Sequence, residues 1–382
     1  MYGSWHSFNC RFLHGGGWTL VARIERASKP VSNGLQVIHR HEDRPAREDY
    51  GVTRPTRLDF PGAIHLIVMH GRADAAIFFN PDLIQGRSAN PYEHAPAVRQ
   101  FEALLTQAHE EYDALIHAYA VLPNTAMIVL QTSNAPLEWI MHDMRGQYAC
   151  QVGLSGGSRK GESIFQGRYS SKVIAPMYFP HAVRRVHQAP AVAGLCSRID
   201  YPFSSDAAYR RRQFPQWLNK QTLYQSLGRR DYGTFMDEKD TPHIQKLFTH
   251  GWPRAHSIVG NFDFVKLAES LAGAPRHHPS REQLIDVAAG ILKVSGDVVR
   301  SKTHVGALAR GLVASYALRT GAATRVEVGR WFGLTGSAVT HAIRYHRGTS
   351  PHYFNIALDS LFVSSSIATS RMPLGIAQQF MA

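Results

Sequence analysis

The chain has 382 residues, of which 44% are hydrophobic and 19% charged, a composition that excludes a disordered protein. A net charge of +13 favours a polyanion partner. Nucleic acid ranks above a membrane, because no run approaches the roughly 20 apolar residues a membrane span needs.

Residues 1–53 mix Gly, Ser, Pro and charge and read as a poorly ordered extension with no signal peptide. Its His39-Arg40-His41 offers a His-x-His clip, but the plainer reading is a solvated charge run. From Arg57 the texture changes. Residues 63–69 form a buried strand that ends at His70-Gly71. Phe101, Leu104, Leu105 and Ala108 have helical spacing within 97–111. Two strands follow at 114–121 and 126–131, joined by a turn at Pro123-Asn124. A helix over 137–152, a Gly-rich loop over 153–161, a strand over 171–174 and a helix over 180–189 complete this part. Strand, helix, two strands, helix, strand is the order of a ferredoxin-like split βαβ sheet. Cys10, Cys150 and Cys196 share no CxxC spacing, which argues for a reducing cytoplasm and against a disulfide framework or zinc finger.

Beyond residue 205 the pattern is helical and loop-rich, anchored by Trp217, Tyr224, Tyr232 and Phe235. Gly273–Pro279 is the best linker candidate. Ser280 with Gln283 forms a capping box that opens a helix through Leu292. Helical spacing resumes over 306–320, 326–332 and 337–346, the last two separated by Gly333-Leu334-Thr335-Gly336. This is the cadence of a helix-turn-helix, with Val328, Trp331, Phe332, Val339 and Ile343 inside. Ser337, Thr340, His341, Arg344 and Arg347 would then face a DNA groove and its phosphates. A small helical bundle with a polar face fits the same spacing. The tail from Ser350 is uninformative.

The residues also resemble known families. Ala307-x-Ala309-Arg310, Val328-Gly329-x-x-Phe332-Gly333 and Ser337-Ala338-Val339-x-His341-Ala342 are similar to the C-terminal DNA-binding domain of the replication initiator DnaA. DnaA carries an Asp-His pair just before that Ser, where this chain has Thr335-Gly336. A longer resemblance, over 54–270, is to the REP-associated tyrosine transposases of the single-strand HUH group. Its landmarks are Arg57-x-x-Phe60-Pro61-Gly62-Ala63, Ile116-His117-Ala118-Tyr119-x-x-x-Pro123-Asn124 and Phe165-Gln166-Gly167-Arg168-Tyr169. Val186-His187-x-x-Pro190-x-x-Ala193-Gly194-Leu195 and Asp200-Tyr201-Pro202-x-Ser204-Ser205 complete the set.

That resemblance implies a mechanism in which two histidines after Pro-Asn hold a divalent ion and a helix tyrosine attacks the scissile phosphate. Here the histidine positions fall on Thr125 and Met127, and the nucleophile position falls on Arg185. A thioether is a poor ligand for Mg²⁺ or Mn²⁺, and a guanidinium has no lone pair to offer. Tyr178 lies seven positions before Arg185, but Pro180 sets the helix start after it. His65, His117 and His187 match landmarks and are candidates to converge on the same place, although packing accounts for them equally well. Arg145, Arg159, Lys160, Arg168, Lys172, Arg184, Arg185 and Arg210-Arg211-Arg212 provide a basic lining, and Arg185 could grip the phosphate that the tyrosine would attack.

The expectation is therefore an α+β protein: a transposase-like domain over 54–205, a helical extension and linker over 206–279, a helix-turn-helix domain over 280–348 and a tail over 349–382. It would bind DNA, hairpin or palindromic, without cutting it, and would need no metal or other cofactor. A cytoplasmic, nucleoid-associated location follows, and a homodimer is allowed. The alternative is an active single-strand transposase or nickase with a rebuilt site for Mg²⁺ or Mn²⁺. A decayed transposase without a selected role is the third reading.

Overall fold

Nearly continuous apolar runs make Ile64–His70, Leu115–Leu122 and Thr125–Gln131 the strands β1, β2 and β3, buried on both faces. The computed structural model describes residues 57–72, 76–85, 94–154, 163–253 and 255–358. The extension at 1–53, Arg159, Lys160 and the tail beyond 358 lie outside the described residues.

Ser170–Ile174 forms β4 and Ile258–Val259 forms β5, giving one sheet in the order β2-β3-β1-β4-β5. The first four strands are antiparallel to their neighbours, and β5 runs parallel to β4. The helices in chain order are α1 Asp82–Gln85, α2 Pro96–Tyr112, α3 Leu137–Leu154 and α4 Phe179–Val192. Region 206–273 resolves into α5 Asp206–Arg211, α6 Gln221–Leu227, α7 Tyr232–Asp237, α8 Pro242–His250 and α9 Phe262–Gly273. Then come α10 Arg281–Leu292, α11 His304–Arg319, α12 Arg325–Phe332, α13 Gly336–Thr349 and α14 Pro351–Phe354. The protein is thus α+β. Among the described residues, no helix is long and apolar enough to cross a membrane.

Strand alternation decides what each sheet face carries. Tyr119 pairs with Ile128, and its hydroxyl donates to Glu102 of α2 at 2.7 Å, so α2 covers the face bearing Ala126, Ile128 and Leu130. His65 shares that face. Its ring bonds Asp59 at 3.1 Å and Ser171 at 3.0 Å, and the other Asp59 oxygen accepts the Leu137 N–H at the start of α3. The opposite face bears Thr125, Met127, Val129 and Gln131. His117 meets Gln131 at 3.2 Å and Phe179 ring to ring at 4.8 Å, which puts α4 over this second face.

The C-terminal helices surround α11, nearly all of which is buried, as expected of a helix apolar on every side. The predicted capping box at Ser280 and Gln283 is present, and a second one at Thr324 and Glu327 opens α12. These helices share one continuous apolar core with the sheet. The described residues over 58–358 accordingly form a single compact unit. Arginines fasten its two parts. Arg276, within the predicted linker, donates to Asp59 at 2.9 Å and to the Asn134 carbonyl at 3.2 Å. Arg319 donates to both oxygens of Asp113 at 3.0 Å, and Arg325 pairs with Glu111 and Asp143.

Candidate nucleic-acid interface

β3 starts directly after the Pro123-Asn124 turn. The Asn124 amide donates to the Arg72 carbonyl at 2.7 Å and ties that turn to the end of β1. A Cβ at Gly71 would lie 1.8 Å from Asn124 Oδ1 and 2.8 Å from Ile77 Cγ1, so any larger residue there would displace the Asn124 side chain that ties the turn. The register sets Thr125 opposite His70, with Thr125 Oγ1 and His70 Nδ1 hydrogen-bonded at 3.0 Å. Burial lowers the His70 pKa and favours the neutral ring. Met127 lies between Val68 and Ala120 on the neighbouring strands. The sequence treated His70 only as a strand end; register alone makes it the partner of Thr125.

On α4 the two adjacent arginines diverge. Arg184 is 2% exposed; its guanidinium donates to the Phe235 carbonyl at 2.8 Å, pairs with Asp240 and stacks on the Phe235 ring. It therefore belongs to the interior, not to a DNA-facing surface. Arg185 is half-buried, 4.8 Å over the Phe248 ring and 4.0 Å from Asp240. Burial lowers its pKa and Asp240 works against that shift. Lys172 projects from β4 onto the same face as Thr125. Its amine donates to the Phe248 and Thr249 carbonyls at 2.6 and 2.8 Å, closing the C-terminal end of α8. Burial, then the charge of Arg185, brings its pKa down to about 8. Arg168 is exposed beside the left-handed turn at Gly167. Tyr178 caps α4, which begins at Phe179.

His65, His117 and His187 do not converge: they lie on the α2 face, beneath α4 and within α4 respectively. Among the described residues, no group of three or more His, Cys, Asp or Glu is placed to hold a metal ion. The last landmark instead builds a buried polar chain. The Tyr119 N–H donates to Ser205 Oγ at 2.9 Å, and that hydroxyl donates to His187 Nε2 at 2.7 Å. His187 Nδ1–H donates to the Tyr232 hydroxyl at 2.8 Å, and Tyr232 donates to Asp206 at 2.6 Å. This tautomer is the one that satisfies every group in the chain. Arg198 and Arg210 each add a 2.6 Å bond to Asp206. The signal was present in sequence as Ser204-Ser205-Asp206, but its role is to fasten α4, α5 and α7 to β2.

The second candidate surface lies on α13. Gly333 adopts a left-handed conformation (φ 65°), and the Leu334 N–H returns to the Gly329 carbonyl at 2.8 Å. A Cβ on Gly329 would stand 2.4 Å from the Leu334 carbonyl oxygen, so the close approach of α12 and α13 depends on that glycine. Val339, Ile343 and His346 face inward. Ser337 and His341 are exposed and Thr340 is half-buried, its hydroxyl bonded back to the Gly336 carbonyl at 3.1 Å. Arg344 and Arg347 turn toward the sheet-covering helices. Arg344 donates to Gln107 and Gln147 at 2.5 and 2.9 Å, while remaining 53% exposed. Arg347 donates to Glu110 at 3.3 Å and lies over Phe354.

No known family model matches the chain, and no curated protein matches it. Among solved structures, a REP-associated tyrosine transposase bound to a REP hairpin is similar at 15% sequence identity and a TM-score of 0.32, covering 44% of this chain and 91% of that one. The resemblance is remote.

Proposed function

We propose that this chain is a DNA-binding protein on a transposase-like, ferredoxin-like scaffold with a helix-turn-helix at α12–α13, and that it recognises DNA without cutting it. The observation that carries the reading is the sheet face bearing Thr125, Met127 and Lys172, with Arg185 on the covering helix α4 beside Lys172. It offers a phosphate the cation of Arg185 but neither a hard metal-ligand pair nor a hydroxyl nucleophile at the positions where the sequence resemblance expects them. The Arg185 side chain is 32% exposed and is held from one side by the Phe248 ring, a pre-positioned grip for a phosphate oxygen. The net charge of +13 adds long-range attraction to any nucleic acid. A homodimer on palindromic DNA is compatible with this reading.

The experiment is hairpin binding across a salt series. The protein is expected to bind a labelled single-stranded hairpin at low salt, with affinity falling steeply as salt rises. Arg185→Ala should weaken binding and reduce the salt slope by about one. No binding at low salt would defeat the proposal.

A further inference from the structure

The two arginines that the sequence places toward DNA are both engaged by the protein, Arg347 largely enclosed and Arg344 half exposed but tethered, and this marks which side of α13 remains open. Arg347 is packed between α13, α2 and Phe354, and the Arg344 guanidinium is tethered to Gln107 and Gln147. Rotating away from that contact brings up Ser337, His341 and Tyr345, all exposed and spaced four apart, hence on one face. Tyr345 is 51% exposed although it is large and aromatic. Its ring lies parallel to that of His341, at 6.2 Å and 10°. The aromatic row continues through the buried His346, 5.1 Å from Tyr345, to the exposed His304, 5.7 Å from His346.

We infer that the Ser337–His341–Tyr345 stripe of α13, not the Arg344–Arg347 row, is the surface that enters a DNA duplex groove, with Tyr345 as a base-contacting residue. This rests on the DNA-binding reading. A helix is the element that fits the major groove, and Ser, His and Tyr each present a hydrogen-bonding group able to donate or accept at base edges. Charge selects the same partner. Neither α11 nor α13 contains an acidic residue, and the exposed His304 joins the stripe through His346. Burial lowers the His346 pKa, and the nearby His304, Arg310 and His341 lower it further, which shows how closely these groups cluster beneath the stripe. Arg347 becomes a positioning residue that holds α13 against α2.

The test uses the full chain, fluorescence anisotropy on a labelled mixed-sequence duplex, and thermal melting. Tyr345→Ala and His341→Ala should each weaken duplex binding about tenfold with an unchanged melting temperature. Arg347→Ala should lower the melting temperature and leave the affinity of the folded fraction as in the parent. If Tyr345→Ala is unstable, Tyr345→Phe keeps the ring and should still weaken binding. Parent-like affinity in both the Tyr345 and His341 variants overturns the inference, as does a parent that binds the single-stranded hairpin but not the duplex. In that second case the DNA-binding reading survives; a parent that binds neither DNA removes both.

Discussion

Replacing Asp206 by Ala is expected to destabilise the protein by about 3–5 kcal/mol, because it strips the counter-charge from cations held out of solvent. Asp206 is fully buried (0% exposed) and accepts from Arg198, Arg210 and Tyr232. Burial alone would raise its pKa, but His187, Tyr232, Arg210 and Arg198 together outweigh burial and hold the carboxyl below its usual range. After substitution Arg198 keeps only its 2.9 Å contact with the exposed Asp237, while Arg210 keeps the Ile199 carbonyl at 2.7 Å. Tyr232 is left without its acceptor. Asp206→Asn restores a hydrogen-bonding oxygen but no charge, so it should fall between parent and Ala. Urea denaturation of the three proteins measures this. An Ala variant within about 1 kcal/mol of the parent would mean that the buried chain is not a fastener.

The second large effect is acid sensitivity from His117 and His187. Burial is the leading cause of both low values. For His117 the Gln131 hydrogen bond offsets it in part; for His187 Asp206 opposes it while Arg198 and Arg210 reinforce it. Each pKa falls from the ordinary 6.5 to about 4. Between those values the unfolded chain binds protons that the folded protein refuses. Stability contributed by the neutral rings is therefore fully present above pH 6.5 and is lost as pH falls toward 4. The loss is on the order of 3 kcal/mol for each histidine. Denaturation across this window should show a slope that His117→Gln and His187→Gln each reduce by roughly half. A flat profile down to pH 4 would contradict the assignment of both rings as buried and neutral.

The elements legible in the sequence were those with strong local patterns. β1, β2 and β3 are long apolar runs, α2 shows its inward face at Phe101, Leu104, Leu105 and Ala108, and the Ser280 cap announces α10. β5 has two residues and exists only because β4 offers it an edge, so no local pattern could reveal it. The positions of Thr125, Met127 and Arg185 were readable from motif order. Their surroundings were not: His70 reaches Thr125 through strand register, and Asp240 and Phe248 come from a helical region with no clear motif. Neighbouring arginines such as Arg184 and Arg185 are equivalent in a sequence, yet a helix sends them to different surroundings. The orientation of α13 was unreadable for a similar reason, since Gln107 and Glu110 fix it from a distant segment.

The most direct measurement is incubation of the protein with a labelled single-stranded hairpin and Mg²⁺ or Mn²⁺, resolved on native and denaturing gels. A shifted native band whose DNA is full length and free of attached protein on the denaturing gel is the predicted result. A shortened strand, or DNA covalently joined to the protein, that disappears with Tyr178→Phe would instead show a rebuilt nuclease and contradict recognition without cutting.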